Sequence, residues 1–266
     1  MTQNISQDRS IFNVTEYLER IDCPLDVNPS PSYLKKLHVQ HLIHIPFENM
    51  DNFLGNQIML DLDRLYKKIV LKNRGGFCYE LNGLFYHLLL KLGFNVNMIS
   101  ARVYDKNGSL RPVFDHMALI VDFEKEKYLV DVGFGDFFRQ PKKMVMNEVQ
   151  MDNNRFFKLD KNIDDEYSIA WSANALDFKK EYQFTLQPRG LVEFVEMCDF
   201  HHRNKDSHLV RNRYITQSMK DGQKTLTRKK LNITRLGKTE ETEIQNLDDF
   251  KVKLYEHFGI KYRINR

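Results

Sequence analysis

The sequence predicts an α+β protein in which helices come first along the chain and strands follow. From Ser10 to Gly93 the apolar residues recur at helical spacing, and from Asn95 onward they alternate or form short runs bounded by turn residues. Helices and strands segregated in this way are typical of the α+β class. With 266 residues, 42% of them hydrophobic, the chain can bury one large core or form two or three modules.

Capping signals locate the first helices. Asn13 opens one helix and Ser30 opens another, because both side chains can accept hydrogen bonds from the free N–H groups of a first turn. Pro31 follows Ser30 at a position where helices tolerate proline. Pro46 disfavours helical backbone before it, so we expect a turn there that carries Glu48.

The most informative stretch is 74–85, with the sequence RGGFCYELNGLF. Gly75 and Gly76 permit a tight turn and a close backbone approach, and the helical spacing of the following apolar residues puts Cys78 at a loop-to-helix junction. A thiol in the first turn of a helix faces the positive end of the dipole, which favours the thiolate and makes Cys78 a candidate nucleophile. The alternative is a small buried hydrophobe, as free cysteines commonly are.

The rest of the chain predicts a small barrel or sheet and then a mixed segment. Strands are predicted at 96–104, 116–121, 127–132, 167–171 and 182–186. From about residue 203, polar strands at 225–227 and 231–234 precede a closing amphipathic helix near 247–258.

His116 and Asp131 begin and end a predicted hairpin. Their separation is odd, so in an antiparallel pair joined by an even-numbered loop both side chains point to the same face, at or near cross-strand distance. The imidazole can then take the proton of Cys78 while the carboxylate fixes the ring tautomer. Each residue alone is better explained by a structural role, but the three together favour a Cys/His/Asp relay.

Glu48 and Arg74 are a predicted ion pair. Glu48 stands among aromatic and apolar residues, and a buried carboxylate is costly unless it is paired and hydrogen-bonded. Arg74, just before the two glycines, is the expected partner. The alternative is a solvated surface glutamate.

Composition and charge argue against several classes of protein. The three cysteines have no spacing typical of a disulfide framework or a zinc site, so we expect no metal and a reducing, cytoplasmic compartment. His201, His202 and His208 are interpreted as loop polarity rather than a metal site. The basic run at 228–230 could hold phosphates but is interpreted as a solvated face. The net charge is only +4, and neither a leader peptide nor a membrane-spanning stretch is visible, so nucleic acid and membrane are not expected partners.

Together these motifs resemble the arylamine N-acetyltransferase family. The resemblance rests on RGGFCYE at 74–80, preceded by PFEN at 46–49 and followed by His116 and by DVGFG at 131–135; it is strong over residues 10–140 and looser beyond. It implies a transglutaminase/papain-like cysteine-triad core in three parts, a helical bundle (1–94), a β-barrel (95–202) and an α/β lid (203–266). It also implies ping-pong acetyl transfer from acetyl-CoA, through an acetyl-cysteine, to arylamines, arylhydrazines or N-hydroxyarylamines, as in xenobiotic metabolism.

The resemblance assigns roles to individual residues. It implies that Cys78 is the nucleophile, His116 the base and Asp131 the orienting carboxylate. It implies that Phe47, Val103 and Phe134 line the aryl pocket. Gly133 and Gly135 match the loop near coenzyme A, and Glu48 and Arg74 match a buried supporting pair. The sequence departs from the family at Asp136, where a further glycine is common; a carboxylate there would repel the coenzyme's phosphates or narrow the acceptor pocket.

Two other functions stay open. A transglutaminase-like or papain-like thiol hydrolase uses the same Cys, His, Asp order, but it usually has Trp directly after the cysteine, where this chain has Tyr79. A non-catalytic module would keep the fold and use the pocket only to hold an aromatic ligand, although an intact relay argues against it. The physiological acceptor and the oligomeric state are not specified by the sequence.

Overall fold

A computed structural model describes residues 10–261, apart from the side chain of His208. Residues 1–9 and 262–266 lie outside this range. The expectation of no leader peptide concerns the first nine residues, so it falls outside the described part of the chain. Within residues 10–261, each helix is too short or too polar to cross a lipid bilayer.

The N-terminal part is helical, and both predicted caps are confirmed. The Asn13 side chain accepts from the backbone N–H groups of Thr15 and Glu16, and Ser30 accepts from that of Tyr33. The helices are α1 (Val14–Arg20), α2 (Pro31–His44), α3 (Asp51–Leu54), α4 (Leu62–Tyr66), which continues as a π-helical turn (Lys67–Leu71), and α5 (Cys78–Lys91).

The expected turn after Pro46 is instead a two-residue strand, β1 (Phe47–Glu48). It pairs with a strand near the C-terminus, with Phe47 opposite Thr216 and Glu48 opposite Ile215. A proline at the entry of a strand is compatible with this arrangement, and the partner is too distant in sequence for local signals to reveal it.

The middle of the chain forms an eight-stranded antiparallel sheet that is nearly closed into a barrel. Its strands are β2 (Asn95–Val103), β3 (His116–Phe123), β4 (Glu126–Val130), β5 (Lys142–Lys143), β6 (Val149–Asp152), β7 (Arg155–Lys161), β8 (Tyr167–Ser172) and β9 (Lys179–Phe184). Their order is β5-β4-β3-β2-β9-β8-β7-β6. A bridge between Met146 and Leu159 joins the segment after β5 to β7 and brings the two edges together.

The C-terminal part has a five-stranded antiparallel sheet, in the order β1-β10-β11-β12-β13, and three helices. The elements are α6 (Val195–Arg203), which follows a 3₁₀ turn (Leu191–Phe194), α7 (His208–Arg211), β10 (Tyr214–Met219), β11 (Gly222–Thr227), β12 (Lys230–Arg235), β13 (Lys238–Glu243) and α8 (Leu247–Phe258). The predicted closing helix is therefore confirmed.

Strand β3 is buried on both faces, which explains its continuous apolar run. Met117 and Leu119 pack in the cluster shared with the helices, whereas Ala118 and Ile120 point into the barrel interior. Helix α5 packs against β2 and β3, and most of its side chains are buried. The first turn of α5 therefore lies at the boundary between helical bundle and barrel.

Candidate active site

Cys78 is the first residue of α5, as predicted, and its thiol is buried with 6% of the residue exposed. Burial raises the pKa of the thiol well above its usual value, the charge of Asp115 raises it further, and a hydrogen bond from the backbone of Met117 opposes this. The helix start therefore does not by itself produce a thiolate, because loss of solvation outweighs the dipole. A proton acceptor beside the thiol is required.

The two glycines before Cys78 are required by close packing. A Cβ on Gly75 would lie 2.0 Å from the carbonyl oxygen of Pro46, and one on Gly76 would lie 2.8 Å from the Glu80 carboxylate. Glu80 in turn accepts from the backbone N–H of Phe77 at 3.2 Å. The cysteine turn is thereby held against the segment that carries β1.

His116 and Asp131 form a buried pair, with 2.7 Å between Nε2 of the ring and Oδ2 of the carboxylate. The β3–β4 hairpin has a two-residue loop, since Phe123 pairs with Glu126. In that register, with Leu119 opposite Val130, His116 and Asp131 are offset by two residues but lie on the same face. The predicted shared face is confirmed, and the pairing is diagonal rather than direct.

Asp131 is held ionised by its surroundings. Its Oδ1 accepts from the side-chain amide of Asn82 at 2.9 Å and from the backbone N–H of Gly133 at 2.9 Å. Burial alone would raise the pKa of Asp131, but His116 and these hydrogen bonds hold it below the usual value. The carboxylate can therefore hold a positive charge on the ring of His116.

Asn82 is a residue of this site that the sequence interpretation missed. It lies one turn after Cys78 on α5, is fully buried, and also donates to the carbonyl oxygen of Met117 at 2.6 Å and accepts from the backbone N–H of Val132 at 2.9 Å. The available signal was that Asn82 stands between Leu81 and Leu84 on a helix predicted to be buried, because a buried amide has to find partners.

Two further side chains support the pair and were also missed. The ring of His38 lies between backbone groups: Nδ1 is 2.8 Å from the carbonyl oxygen of Arg139, and Nε2 accepts from the N–H of Asp131 at 3.3 Å. Burial lowers the pKa of His38 to about 4, so the ring is neutral. Tyr182 packs 5.3 Å from the ring of His116. Burial, and then the charge of Asp131, raise the pKa of the Tyr182 hydroxyl.

Glu48 and Arg74 are brought together as predicted, at 2.7 Å between Nη2 and Oε1, but the pair is part of a larger network. Arg74 also contacts Asp51 at 3.0 Å, and Lys68 bridges Asp51 at 2.6 Å and Glu80 at 2.7 Å. Glu48 is fully buried, and its second oxygen accepts from the backbone N–H of Met50 at 2.7 Å. The network joins the β1 segment to the cysteine turn.

A cleft of about 1620 Å³ opens at Cys78 and brings most of the predicted site residues together. Besides the thiol and His116, its lining includes Phe47, Val103, Phe134, Gly133 and Gly135. The ring of Phe134 lies edge-on, 4.8 Å from that of His116. The volume exceeds the range of about 300–1000 Å³ that is usual for one drug-sized ligand.

The two glycines of this lining have different structural reasons. A Cβ on Gly133 would lie 2.8 Å from the Cα of Cys78 and 2.7 Å from Nδ2 of Asn82, so only glycine fits between them. Gly135 has a left-handed backbone, with φ of +73°, which favours glycine.

The structure gives a setting to two sets of charged residues. The basic run at 228–230 is exposed, as interpreted, and also lines the same cleft, together with Lys106 and Arg111. Asp136 is ion-paired with the guanidinium of Arg155 at 2.6 Å, which offsets the charge expected to repel phosphates.

The interpretation of His201 and His202 as loop residues was wrong, because both lie in α6, and His201 is buried with 2% of its surface exposed. Its sequence signal, a histidine pair in a charged segment, gave no indication of burial. Among residues 10–261, no three His, Cys, Asp or Glu side chains converge in a way that could hold a metal ion.

Comparison with known proteins identifies the family. The sequence profile of a family described as N-acetyltransferase matches residues 32–266. An arylamine N-acetyltransferase of Escherichia coli is 32% identical over 232 residues, which cover 85% of this chain and 81% of that protein. An arylamine N-acetyltransferase / N-hydroxyarylamine O-acetyltransferase of Salmonella typhimurium is 43% identical over 120 residues, covering 45% of this chain and 42% of that protein.

Solved structures give the same result. The arylamine N-acetyltransferase from Salmonella typhimurium superimposes with a TM-score of 0.88 at 28% identity, over 93% of this chain and 90% of that one. The Mycobacterium marinum arylamine N-acetyltransferase in complex with CoA superimposes with a TM-score of 0.85 at 28% identity, over 93% of each chain. The α+β fold, with its near-closed barrel, is thus the fold of these enzymes. The chain therefore belongs to the arylamine N-acetyltransferase family of acetyl-CoA-dependent acyltransferases.

Proposed function

We propose that the protein transfers an acetyl group from acetyl-CoA to an aromatic amine, an arylhydrazine or the oxygen of an N-hydroxyarylamine, in two half-reactions that share one thioester on Cys78. The observation that carries this proposal is the 2.7 Å contact between His116 and Asp131 beside the cleft into which the Cys78 thiol opens. The name of the Salmonella typhimurium relative, which includes both N- and O-acetyl transfer, supports the acceptor classes.

In the first half-reaction the thiol of Cys78 loses its proton to His116 and attacks the carbonyl carbon of the acetyl group, and the thiol of coenzyme A leaves. Because the buried thiol resists ionisation alone, the proton transfer depends on the stabilisation of the imidazolium by Asp131. In the second half-reaction the amine nitrogen attacks the thioester and gives its proton to His116, which passes it to the sulfur of Cys78 as the thiol leaves.

We propose that Phe47, Val103 and Phe134 hold the aromatic ring of the acceptor. All three line the cleft, and aromatic or branched side chains bury a flat ring with favourable edge and face contacts. Phe134 also packs on His116, so it links acceptor binding to the base. The network of Glu48, Arg74 and Asp51 would hold the β1 segment, and with it Phe47, in position.

We propose that coenzyme A lies along the same cleft, near Gly133 and Gly135. The cations along its lining, among them Lys106, Arg228 and Lys229, have the charge that phosphate groups require. The lack of side chains at the two glycines keeps the loop next to Cys78 narrow, which lets a thioester approach. We further propose the division into units 1–94, 95–202 and 203–266, with the last unit covering the cleft.

Intact mass spectrometry tests the function. With acetyl-CoA alone, the protein should gain one acetyl group at Cys78, and an arylamine should then remove it as the acetylated amine. Cys78→Ala should abolish the gain and Cys23→Ala should not. Hydrolysis of the thioester at the same rate with and without amine would favour a thiol hydrolase, and no gain of mass would favour a binding module.

Pocket variants test the acceptor site. Phe47→Ala should acetylate Cys78 at close to the normal rate while losing discrimination among arylamines, since it changes only the second half-reaction. Phe134→Ala should impair both half-reactions, because its ring also supports His116. An unchanged ranking of acceptors in both variants would contradict the assignment.

A further inference from the structure

A second buried imidazole–carboxylate pair lies beside the first. Nε2 of His201 is 3.1 Å from Oδ1 of Asp115, and Nδ1 of the same ring is 3.0 Å from the hydroxyl of Ser207. Asp115 is 7% exposed and His201 is 2% exposed. Both residues line the cleft into which Cys78 and His116 point.

The position of Asp115 relative to the thiol is fixed by the chain. Asp115 directly precedes His116, and Tyr79 directly follows Cys78. The Tyr79 hydroxyl lies 2.7 Å from the carbonyl oxygen of Phe114, to which it donates, and 3.0 Å from the carbonyl oxygen of Asp115. This contact ties the first turn of α5 to the start of β3 and so holds the backbone of Asp115 near Cys78.

The charge of Asp115 opposes ionisation of Cys78. After burial it is the largest cause of the raised pKa of the thiol, ahead of Asp131 and Cys198. An unbalanced carboxylate at this place would slow every step that needs a thiolate. The groups that face it are His201 and the guanidinium of Arg111, whose Nη1 is 4.0 Å from Oδ2.

We propose that His201 is a positioning residue that holds the carboxylate of Asp115 by a hydrogen bond and offsets its charge, so that the pair sets how readily Cys78 reacts without touching the substrate. Both ring nitrogens of His201 have an oxygen partner, and the carboxylate of Asp115 accepts from Nε2. His116 still accepts the proton of Cys78. The Asp115–His201 pair determines the electrostatic field at the thiol while that proton moves. This role rests on the proposed function of Cys78 as nucleophile.

The rate of alkylation of Cys78 by iodoacetamide, followed against pH by peptide mass spectrometry, tests the proposal without acetyl-CoA. His201→Gln removes the ring N–H that faces Asp115, so the charge of Asp115 acts more strongly on the thiol and the midpoint of the alkylation profile should rise by about one pH unit. Asp115→Asn should lower the midpoint by a similar amount. The double variant should behave like Asp115→Asn, because without the carboxylate residue 201 has no charge to offset.

His202→Gln is the matched control. His202 is the next residue on α6, is partly buried, and donates from Nδ1 to the amide oxygen of Asn52 at 2.8 Å, so its replacement tests a packing effect alone. Opposite shifts of the two single variants support the proposal, because a purely structural role would move both in one direction. Equal shifts of the same sign, or none, would overturn it. Failure of wild-type Cys78 to take an acetyl group would refute the proposed function instead, whatever the alkylation profiles show.

Discussion

The side-chain amide of Asn82 donates both to Oδ1 of Asp131, at 2.9 Å, and to the carbonyl oxygen of Met117, at 2.6 Å. Met117 follows His116 in β3, and Asp131 follows the end of β4. One side chain of α5 therefore fixes both partners of the His116–Asp131 pair relative to the helix that begins at Cys78.

We expect Asn82→Leu, which keeps the volume, to leave several buried polar groups without partners at a cost of about 1–3 kcal/mol each. Formation of acetyl-Cys78 should also slow, since Asp131 loses a hydrogen bond that favours its ionised form. Urea unfolding and single-turnover acetylation measure the two effects. The exposed Asn95 provides a control in Asn95→Leu. A stable Asn82→Leu protein with normal acetylation would contradict this role.

We expect Asp131→Asn to fold but to form acetyl-Cys78 about 10⁴ times more slowly, because an amide donates to the ring and stabilises the wrong tautomer. Rapid-quench mass spectrometry gives the rate. Asp152→Asn is a matched control, since Asp152 is equally buried in the barrel and ion-paired with Lys142 at 2.6 Å. Asp152→Asn should lower the stability of the protein without slowing the formation of acetyl-Cys78. Similar rates for both variants would argue against a relay.

We expect Gly133→Ala to destabilise the protein by about 1–3 kcal/mol, as overpacking of a dense core does. The added methyl would press on the Cα of Cys78 and on the amide of Asn82, so alkylation of the thiol should slow as well. Gly190→Ala is the control, because the nearest atom to its new methyl is 3.9 Å away. Urea unfolding and iodoacetamide kinetics compare the two, and equal behaviour would show that the close approach has no consequence.

We expect Arg74→Met to cost about 3–5 kcal/mol, since it leaves Glu48 buried without its cation. The double variant Glu48→Gln/Arg74→Met should be less destabilised than the sum of the single variants. It should still be less stable than the wild type, because Asp51 also loses a contact. Urea unfolding measures the cycle. Lys230→Met at the exposed Lys230–Glu241 pair should cost about 0–1 kcal/mol. Strict additivity at Glu48 and Arg74 would refute the coupling.

The protein should lose stability in acid through Asp51 and Asp131. Burial would raise the pKa of each, but Lys68 and Arg74 at Asp51, and His116 at Asp131, hold both pKa values below the usual one. Their contribution is complete above about pH 4, the pKa of an aspartate in an unfolded chain, and is lost as the pH falls through the lower folded values. Urea midpoints at pH 6 and pH 3 measure the loss. In Asp51→Asn the urea midpoint should differ less between pH 6 and pH 3 than in the wild type. An unchanged difference would show that Asp51 does not contribute to the loss of stability in acid.

Local signals were sufficient for the elements that carry the relay. The glycines and helical spacing predicted the start of α5 at Cys78, and the odd separation of His116 and Asp131 predicted their shared face. The β6 and β7 strands were missed although Asn153 and Asn154 form a turn between them, because β6 has only four residues and the two successive phenylalanines of β7 break the alternation. Strand β13, KTEETE, was missed because all six residues are exposed at a sheet edge.

The rest of the site depends on contacts between distant parts of the chain. Asn82, His38 and Tyr182 approach the His116–Asp131 pair from three different elements, and His201 reaches Asp115 from α6. Periodicity gives the face on which a residue lies and not the partner it meets there. These contacts therefore required the three-dimensional structure.

The pairing of β1 with β10 has a consequence for biosynthesis. Phe47, on one wall of the cleft, emerges from the ribosome long before its strand partner Thr216. Nascent chains usually fold domain by domain from the N-terminus, yet here the first strand must wait for its partner. We therefore expect a chain arrested before residue 214 to leave Cys78 open to alkylation and unable to take acetyl from acetyl-CoA, so that the enzyme acquires activity only after β10 has been made.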